Sequence, residues 1–256
     1  MESSIQQLAA TIRDAAKQKR PLCIRGGGTK DFYGGPVHGY KLNTGDCRGI
    51  VSYEPTELVI TARAGTPLAD IEAALREQGQ MLAFEPPHFG NSATIGGCVA
   101  AGLSGPRRPY AGAVRDFVLG VRLLDGKGDD LKFGGQVMKN VAGYDVSRVM
   151  AGSLGTLGVL IEISLKVLPL PALEATLRLQ CDEGGAIARM NEWAGKPLPI
   201  TATAYRDGDL GVRLSGARIA VEAAIKKVGG AVVEPAQAER FWTGIREQTD
   251  PFFAGG

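Results

Sequence analysis

The stretch over residues 92–105 limits the fold of this chain more than any other, because it holds four glycines in fourteen residues. Glycine destabilises the interior of helices and strands, so the cluster predicts backbone that approaches another group closely. Thr94 is well placed to cap a short helix that continues through Ala101. The N–H groups at such a helix start attract phosphate. Taken alone, the stretch indicates either a phosphate site or an ordinary glycine-rich turn.

A second glycine cluster occupies residues 26–30 and follows an apolar segment, residues 21–25, which predicts a short buried strand. Two familiar phosphate motifs fail here. A Rossmann fingerprint requires a helix directly after the glycines, and residues 31–36 are no helix start; the Walker pattern is absent from the sequence. The remaining interpretations are a nest of free N–H groups that binds an anion and a flexible surface turn.

Gly152, Gly155 and Gly158 form a third cluster, directly before a strand predicted at residues 159–168. This spacing predicts close packing between a short helix near residues 146–150 and a sheet. Contact with a ligand is a second interpretation, and it is compatible with the first.

Two alternating prolines in residues 168–171 mark a boundary, since proline interrupts both helices and sheets. Beyond it, apolar periodicity predicts elements in the order β-α-β-β-α-β, which is typical of a ferredoxin-like sandwich. They are predicted at residues 172–180, 183–194, 200–206, 209–215, 216–228 and 231–234, with a further helix at 236–248. The apolar end at residues 251–256 leads us to expect a chain that is cut short.

Before the boundary, the same reasoning predicts a mixture of helices and strands. One helix is predicted at residues 4–18 with Ser4 and Gln7 as a capping box, and another from Thr66 to Gly79 with Pro67 in its first position. Strands are predicted at residues 50–54, 57–64, 117–124 and 131–133, and the basic segment 106–110 is predicted as a loop.

The composition excludes several classes of function. A formal net charge of +2 provides no case for a nucleic-acid partner. Four widely spaced cysteines argue against an iron–sulfur or zinc site in this chain, and we expect no metal. The longest apolar stretch, residues 149–161, is too short for a transmembrane segment. Without a secretory signal, we expect a cytoplasmic protein with free thiols, and peripheral membrane attachment through a partner stays open.

Four segments occur in an order and spacing that resemble the FAD-binding domain of the PCMH-type (vanillyl-alcohol oxidase) superfamily. They are residues 24–30, 93–97, 115–120 and 152–159. Within the superfamily, the chain is more closely similar to FAD-binding subunits of bacterial glycolate oxidases, on residues 85–88, 105–109, 133–145, 197–200 and 251–253. The resemblance implies an α+β fold, with a PCMH-type domain of two α/β subdomains over residues 1–168. A ferredoxin-like (βαββαβ) cap, incomplete at its end, would follow over residues 172–256.

The resemblance also implies which residues contact a non-covalent FAD. The pyrophosphate would lie on Gly26, Gly27, Gly28, Thr29, Lys30, Thr94, Ile95, Gly96 and Gly97. Gly102, Ser104 and Gly105 would pass near the isoalloxazine, Gly155, Gly158 and Val159 would line the adenine and ribityl side, and Pro86 and Asp116 complete the predicted set. Covalent attachment is not expected, because neither His38 nor His88 sits at the position that relatives use.

The function implied by the resemblance is that of an FAD-dependent oxidoreductase acting on CH–OH groups, as the FAD-binding subunit of a glycolate oxidase complex. Such a complex oxidises glycolate, a small 2-hydroxy acid, to glyoxylate. Electrons would pass through flavin to an iron–sulfur subunit, beside a second flavin subunit, at the inner face of the bacterial membrane. The alternatives are a self-sufficient FAD-dependent D-2-hydroxy-acid dehydrogenase and a flavin-free scaffold subunit.

The residues that would oxidise a substrate are not identified by the sequence. Related enzymes use a histidine-rich metal motif near the C-terminus, and this chain has two histidines in all. Arg107 and Arg108 are either part of a solvated loop or a clamp for a carboxylate, and His88 is a candidate base. The catalytic residues therefore stay unknown at this point.

Overall fold

The structure is a computed structural model that describes residues 2–135 and 143–255. The chain divides into two compact units: Met1–Leu103 with Ala113–Pro169 form the first, and Ser104–Gly112 with Leu170–Gly256 form the second. The chain therefore passes from one unit to the other three times. Residues 136–142, the middle of the segment 133–145 that carried part of the family resemblance, lie outside the described residues.

Both units contain helices and strands. The helices are α1 (Glu2–Lys17), α2 (Leu68–Glu77), α3 (Ile95–Ala101), α4 (Arg108–Ala111), α5 (Val146–Val149), α6 (Glu183–Ala194), α7 (Arg218–Val228) and α8 (Pro235–Arg246). The strands are β1 (Leu22–Arg25), β2 (Tyr40–Asn43), β3 (Ile50–Glu54), β4 (Val59–Arg63), β5 (Gln80–Met81), β6 (Val118–Leu124), β7 (Asp130–Gly134), β8 (Val159–Lys166), β9 (Leu168–Pro169), β10 (Leu173–Gln180), β11 (Ile200–Arg206), β12 (Asp209–Gly216) and β13 (Ala231–Val232).

The first unit is built on a five-stranded antiparallel sheet in the order β3-β4-β8-β6-β7. Strand β8 lies at its centre and is buried along most of its length. Ile161, Ile163 and Leu165 are each at most 1% exposed. A run of β-branched and apolar residues suits such a strand, because both of its faces are covered.

Strands β1 and β2 form a separate parallel pair, with Leu22 opposite Tyr40 and Arg25 opposite Asn43. Helix α1 supplies Ile5, Ala9 and Ile12 to a buried cluster that also contains residues of β2, β6 and β8. The spacing of these three residues places them on one stripe of the helix, as the sequence predicts. The strand β1 is thus held by a packed helix, and the glycine loop that follows it starts from a fixed position.

The second unit contains a four-stranded antiparallel sheet in the order β11-β12-β10-β13. This is the ferredoxin-like arrangement expected from the sequence, and that prediction is confirmed. Alternate residues such as Leu177 and Val212 share one buried cluster with residues of α6 and α7. The hairpin at Asp207 and Gly208 has positive φ at both positions, as a tight β-turn of the expected kind requires.

The other face of this sheet carries polar residues that contact α8. The indole N–H of Trp242 donates to Thr176 Oγ1 at 2.9 Å, and the guanidinium of Arg213 lies 4.9 Å from the centre of the indole ring. Gly211 makes room for this helix, since a Cβ there would lie 2.9 Å from the ring of Phe241. Helix α8 is therefore attached by specific polar contacts as well as by apolar area.

Several predicted boundaries are wrong in detail. Helix α1 begins at Glu2, so Ser4 lies inside its first turn and does not cap it. Pro67 is the N-cap residue of α2 and does not occupy its first position. The predicted basic loop contains the short helix α4, and strand β2 was not predicted because its exposed residues give no alternating pattern.

Among the residues that the structure describes, none of the helices combines the length and the apolar character needed to cross a membrane. In the same residues, no group of three or more His, Cys, Asp or Glu side chains is arranged to hold a metal ion. The four cysteines are free thiols.

The core of the second unit can be tested with a pair of alanine variants. Leu177 is fully buried, so Leu177→Ala should lower the free energy of unfolding by about 2–5 kcal/mol. Ile219→Ala is the control, because Ile219 is 82% exposed and its loss should change stability by about 0.5 kcal/mol or less. Urea denaturation followed by tryptophan fluorescence reports on this unit, since both tryptophans belong to it. Equal stability of the two variants would contradict the assignment of Leu177 to the core.

Candidate functional site

A cavity of about 520 Å³ opens in the first unit. It is lined by β1 and the loop that follows it, by one side of α3 with its cap Thr94, and by residues 154–156. A volume of this size is typical of a site for a small molecule or cofactor. The three glycine clusters of the sequence each contribute to its wall.

The loop after β1 presents a row of unpartnered hydrogen-bond donors. Within the described residues, the backbone N–H groups of Gly26, Gly27, Gly28 and Thr29 donate to no acceptor, although all four residues line the cavity. Gly28 has a φ of +73°, in the left-handed region, which turns the loop back on itself. Consecutive free N–H groups of this kind form a nest that suits an anion.

This loop lies directly against the segment that precedes α3. Ser92 Oγ donates to the carbonyl of Gly27 at 2.9 Å, and a Cβ on Gly27 would lie 1.5 Å from the Ser92 carbonyl oxygen. A Cβ on Gly26 would lie 2.6 Å from Thr94 Oγ1. Glycine is required at Gly27 because the two backbones touch there, whereas a side chain at Gly26 would press on the Thr94 hydroxyl. The close approach fixes the loop in place.

Lys30 ends the loop and ties it to the turn before α3. Its Nζ donates to the carbonyl of His88 at 3.3 Å and lies 5.4 Å from the centre of the Phe89 ring. The Phe89 ring in turn meets Phe32 edge to face at 5.2 Å. These contacts place a positive charge at the edge of the nest.

Arg25 and Asp31 form an ion pair across the base of the same loop. Arg25 Nε donates to Asp31 Oδ1 at 3.2 Å. The guanidinium lies against Gly28, where a Cβ would come within 2.4 Å of Arg25 Nη2. Both charged side chains line the cavity, so its electrostatics depend on them as well as on Lys30.

The start of α3 does not offer free donors, which corrects one expectation. Thr94 caps the helix as predicted, with Gly97 N–H donating to its Oγ1 at 3.3 Å. The N–H groups of Ile95 and Gly96 donate to the carbonyls of Thr66 and Ala64 at 3.0 and 2.8 Å. The first turn of α3 is thus satisfied within the protein, and the free N–H groups come from the loop after β1.

Eight of the predicted contact residues line the cavity together. They are Gly26, Gly27, Gly28, Thr29, Lys30, Thr94, Gly97 and Gly155. The structure places the other nine outside the lining: Pro86, Ile95, Gly96, Gly102, Ser104, Gly105, Asp116, Gly158 and Val159.

Several of these nine have an evident packing role. Gly102 ends α3 with a φ of +72°, and a Cβ there would lie 2.8 Å from Gly152 Cα. A Cβ on Gly158 would lie 2.8 Å from the Leu124 carbonyl oxygen. The third glycine cluster therefore packs closely, as its spacing predicts. Asp116 Oδ2 accepts the N–H of Ala113 at 2.9 Å.

Much of the apolar wall was missed by the sequence reasoning. The missed lining residues are Leu22, Cys23, Ile24, Tyr33, Gly34, Val37, Ala100, Ala101, Leu154 and Thr156, together with Arg25 and Asp31. The strand β1 was expected to be buried, but its four residues are all half-buried because one side faces this cavity. An apolar strand that lines a cavity and an apolar strand that packs in a core have the same kind of sequence, so the sequence of β1 could not distinguish the two.

Two of the three candidate substrate residues, Arg107 and His88, have other partners, and Arg108 is exposed. Arg107 belongs to the second unit, is 7% exposed, and donates to Glu174 Oε2 at 2.7 Å and to Ser215 Oγ at 3.2 Å. It is therefore a buried ion-pair residue and neither a solvated arginine nor an open carboxylate clamp. His88 Nε2 lies 3.2 Å from Glu72 Oε2, and His88 is not among the lining residues of the cavity.

Helix α3 also contains a cysteine, Cys98, whose thiol is unreactive. Cys98 is fully buried, and burial raises the pKa of its thiol to about 12. The thiol stays protonated at neutral pH, so it contributes to packing behind the cavity.

Comparison with known proteins gives one family and several relatives. The family model described as "FAD binding domain" matches residues 3–134. The glycolate oxidase subunit GlcE of Escherichia coli (strain K12) is 53% identical over 249 residues, which cover 97% of this chain and 70% of that protein. A D-lactate dehydrogenase of Anaerostipes hadrus is 31% identical over 66% of this chain and 36% of its own length. The glycolate oxidase subunit GlcD of Bacillus subtilis (strain 168) is 30% identical over 67% of this chain and 37% of its own length.

A solved structure of an alkyldihydroxyacetonephosphate synthase matches with a TM-score of 0.74 and 16% identity. The match covers 96% of this chain and 57% of that one, so the chain spans just over half the length of this structural relative and about a third of the more distant sequence relatives. At this identity the likeness concerns the fold, and it confirms the predicted fold class.

The two adjacent glycines of α3 should respond differently to alanine. A Cβ on Gly96 would meet Ala64 Cβ at 2.7 Å and the Ala64 carbonyl oxygen at 2.8 Å. Gly96→Ala should therefore lower stability by about 1–3 kcal/mol. Gly97→Ala is the control, because the nearest atom to its Cβ is Thr94 Oγ1 at 3.3 Å, and we expect a change within about 1 kcal/mol. Thermal unfolding of both variants measures the difference, and a reversed order would refute the packing of α3 on Ala64.

Proposed function

The chain belongs to the FAD binding domain family, and from this premise we propose that it is the FAD-binding subunit of a glycolate oxidase complex. Membership confirms the predicted superfamily, FAD as the cofactor, and the class of FAD-dependent oxidoreductase. The activity of the whole assembly, its substrate and its partners are the content of the proposal.

The observation that carries the proposal is the nest of N–H groups on Gly26, Gly27, Gly28 and Thr29, which have no acceptor among the described residues and lie in a cavity of about 520 Å³. A diphosphate needs several donors at once, and backbone that approaches closely requires glycine. Lys30 adds a positive charge beside them. The residues present therefore fit the diphosphate of FAD, and the half-buried strand β1 fits an apolar portion of it.

FAD held by these residues would supply hydride chemistry at a carbon that bears a hydroxyl group. This chain's own residues bind and orient the cofactor. Among the described residues that line the cavity there is no histidine, and the single carboxylate, Asp31, is paired with Arg25. The lining thus provides binding groups but no evident base, which supports a role as a subunit whose complex includes a second flavin subunit that oxidises the substrate.

We further propose that residues 1–168 form the PCMH-type FAD-binding domain and residues 172–256 its ferredoxin-like cap. The 17 predicted contacts stay part of the proposal, with the eight lining residues as its centre. Because the cysteines of this chain are widely spaced, an iron–sulfur cluster would belong to another subunit. That subunit and the second flavin subunit would also provide any attachment to the inner face of the bacterial membrane.

The cofactor site can be tested with valine at position 97. Gly97→Val places a branched side chain in the cavity, and among the described residues the nearest atom to a Cβ there is Thr94 Oγ1 at 3.3 Å, so the Thr94 side chain has to shift slightly. We expect FAD affinity to fall by about tenfold or more, measured as flavin released on denaturation of the purified protein. Gly184→Val is the matched control, because Gly184 also lies in a helix with open surroundings and is in the second unit. Unchanged flavin content in a folded Gly97→Val variant would count against the site.

The role as a subunit predicts a separation of binding from turnover. The purified chain should bind FAD yet fail to reduce an artificial electron acceptor with glycolate, and activity should appear when it is purified with its partner subunits. Glycolate turnover by this chain alone would favour the self-sufficient dehydrogenase. A colourless chain that takes up no FAD would favour the flavin-free scaffold.

A further inference from the structure

Three charged side chains line the candidate cofactor cavity, and they do not balance. Arg25 and Lys30 are positive, and Asp31 is the one negative side chain among the lining residues that the structure describes. A diphosphate carries a negative charge on each of its phosphates. With Asp31 in place the lining offers one net positive charge, and without it the lining offers two.

The negative charge of Asp31 is paired with Arg25, which lies next to the nest. Arg25 is the last residue of β1, directly before the nest, and its guanidinium occupies the space that a side chain at Gly28 would need. Asp31 follows the nest on its other side and accepts from Arg25 Nε at 3.2 Å. The ion pair thus spans the loop whose N–H groups are free.

We propose that Arg25 binds a phosphate oxygen of the cofactor and that Asp31 is the counter-ion it exchanges when the cofactor enters. This inference rests on the proposed function and adds two residues that are not in the predicted set of FAD contacts. In the structure, Asp31 holds the guanidinium beside the nest. When the cofactor binds, its anionic diphosphate replaces Asp31 as the partner of the Arg25 guanidinium, and the Asp31 carboxylate becomes hydrated.

Exposure makes this exchange inexpensive for Asp31. Its side chain is 56% exposed and that of Arg25 is 36% exposed, so the ion pair is a surface pair of modest strength. The carboxylate regains hydration when it leaves. The guanidinium gains a phosphate, with which its planar fork of donors makes strong charge-assisted hydrogen bonds.

Lys30 supports the exchange from the other end of the loop. Its Nζ is held by the carbonyl of His88 and lies beside the Phe89 ring, contacts that do not involve Asp31. These two contacts hold the ammonium beside His88 and Phe89. The nest and Lys30 form a constant part of the site, and Arg25 with Asp31 forms the part that changes partners.

The test compares dissociation constants of FAD and of ADP, which carries a diphosphate without the flavin. Asp31→Asn should lower both dissociation constants about threefold, because the competing charge is removed. Arg25→Gln should raise both about tenfold. In the Arg25→Gln background, Asp31→Asn should lose at least half of its benefit, since the competition for the guanidinium is then absent.

Asp14→Asn is the control for a change of net charge, because Asp14 lies exposed on α1 and outside the cavity lining. If Asp31→Asn matches this control or weakens FAD binding, Asp31 is a structural partner of Arg25 and the exchange is refuted. A wild-type chain that binds neither FAD nor ADP would overturn the proposed function itself. Wild-type binding with unaltered constants in the variants overturns the exchange alone.

Discussion

The contact between Gly27 and Ser92 is the constraint on which the candidate site depends. Two backbone segments that are 65 residues apart in the chain approach so closely that any side chain at Gly27 would collide with the Ser92 carbonyl. The hydrogen bond from Ser92 Oγ to the Gly27 carbonyl fixes their register. As a consequence, the loop after β1 and the start of α3 become two walls of one cavity. The N–H groups of Gly26, Gly27, Gly28 and Thr29 have no acceptor in the part of the chain that the structure describes.

The two walls have different roles, which neither glycine cluster indicates by itself. The start of α3 satisfies its own donors through Thr94, Thr66 and Ala64, so it acts as a rigid support. The loop provides the free donors, and charged residues on either side of it set the electrostatic balance. A site of this type gains specificity from preorganised backbone, because N–H groups that are fixed in advance lose little entropy when an anion arrives.

Much of the fold follows from local patterns in the sequence. Strands β10, β11 and β12 and helices α6 and α7 begin and end close to their predicted bounds. Their apolar patterns are clear because each element buries one face in the same apolar cluster. Strand β2 was missed since its pairing partner is β1, from which it is separated by a long exposed loop. Pairing between distant segments is decided by tertiary structure and has no local signal.

The candidate site was predictable to a similar degree. Glycine spacing identified the loop and the cap, where local geometry dictates the residue type. Glycine spacing could not reveal that the first N–H groups of α3 donate to the carbonyls of Thr66 and Ala64, because these acceptors lie in a different part of the chain. The same holds for Arg107: two arginines between prolines are typical of an exposed loop, and the acceptors that bury this one, Glu174 and Ser215, are more than sixty residues away.

The segment Ser104–Gly112 makes the two units discontinuous in sequence. It belongs to the second unit although both of its neighbours in sequence belong to the first. A protease that cuts after Pro169 would therefore leave residues 104–112 of the second unit on the same fragment as the first unit, with Arg107 on that fragment and its partners Glu174 and Ser215 on the other. For the same reason, the second unit cannot be exchanged between related proteins by a single splice, because residues 104–112 would have to be transplanted with it.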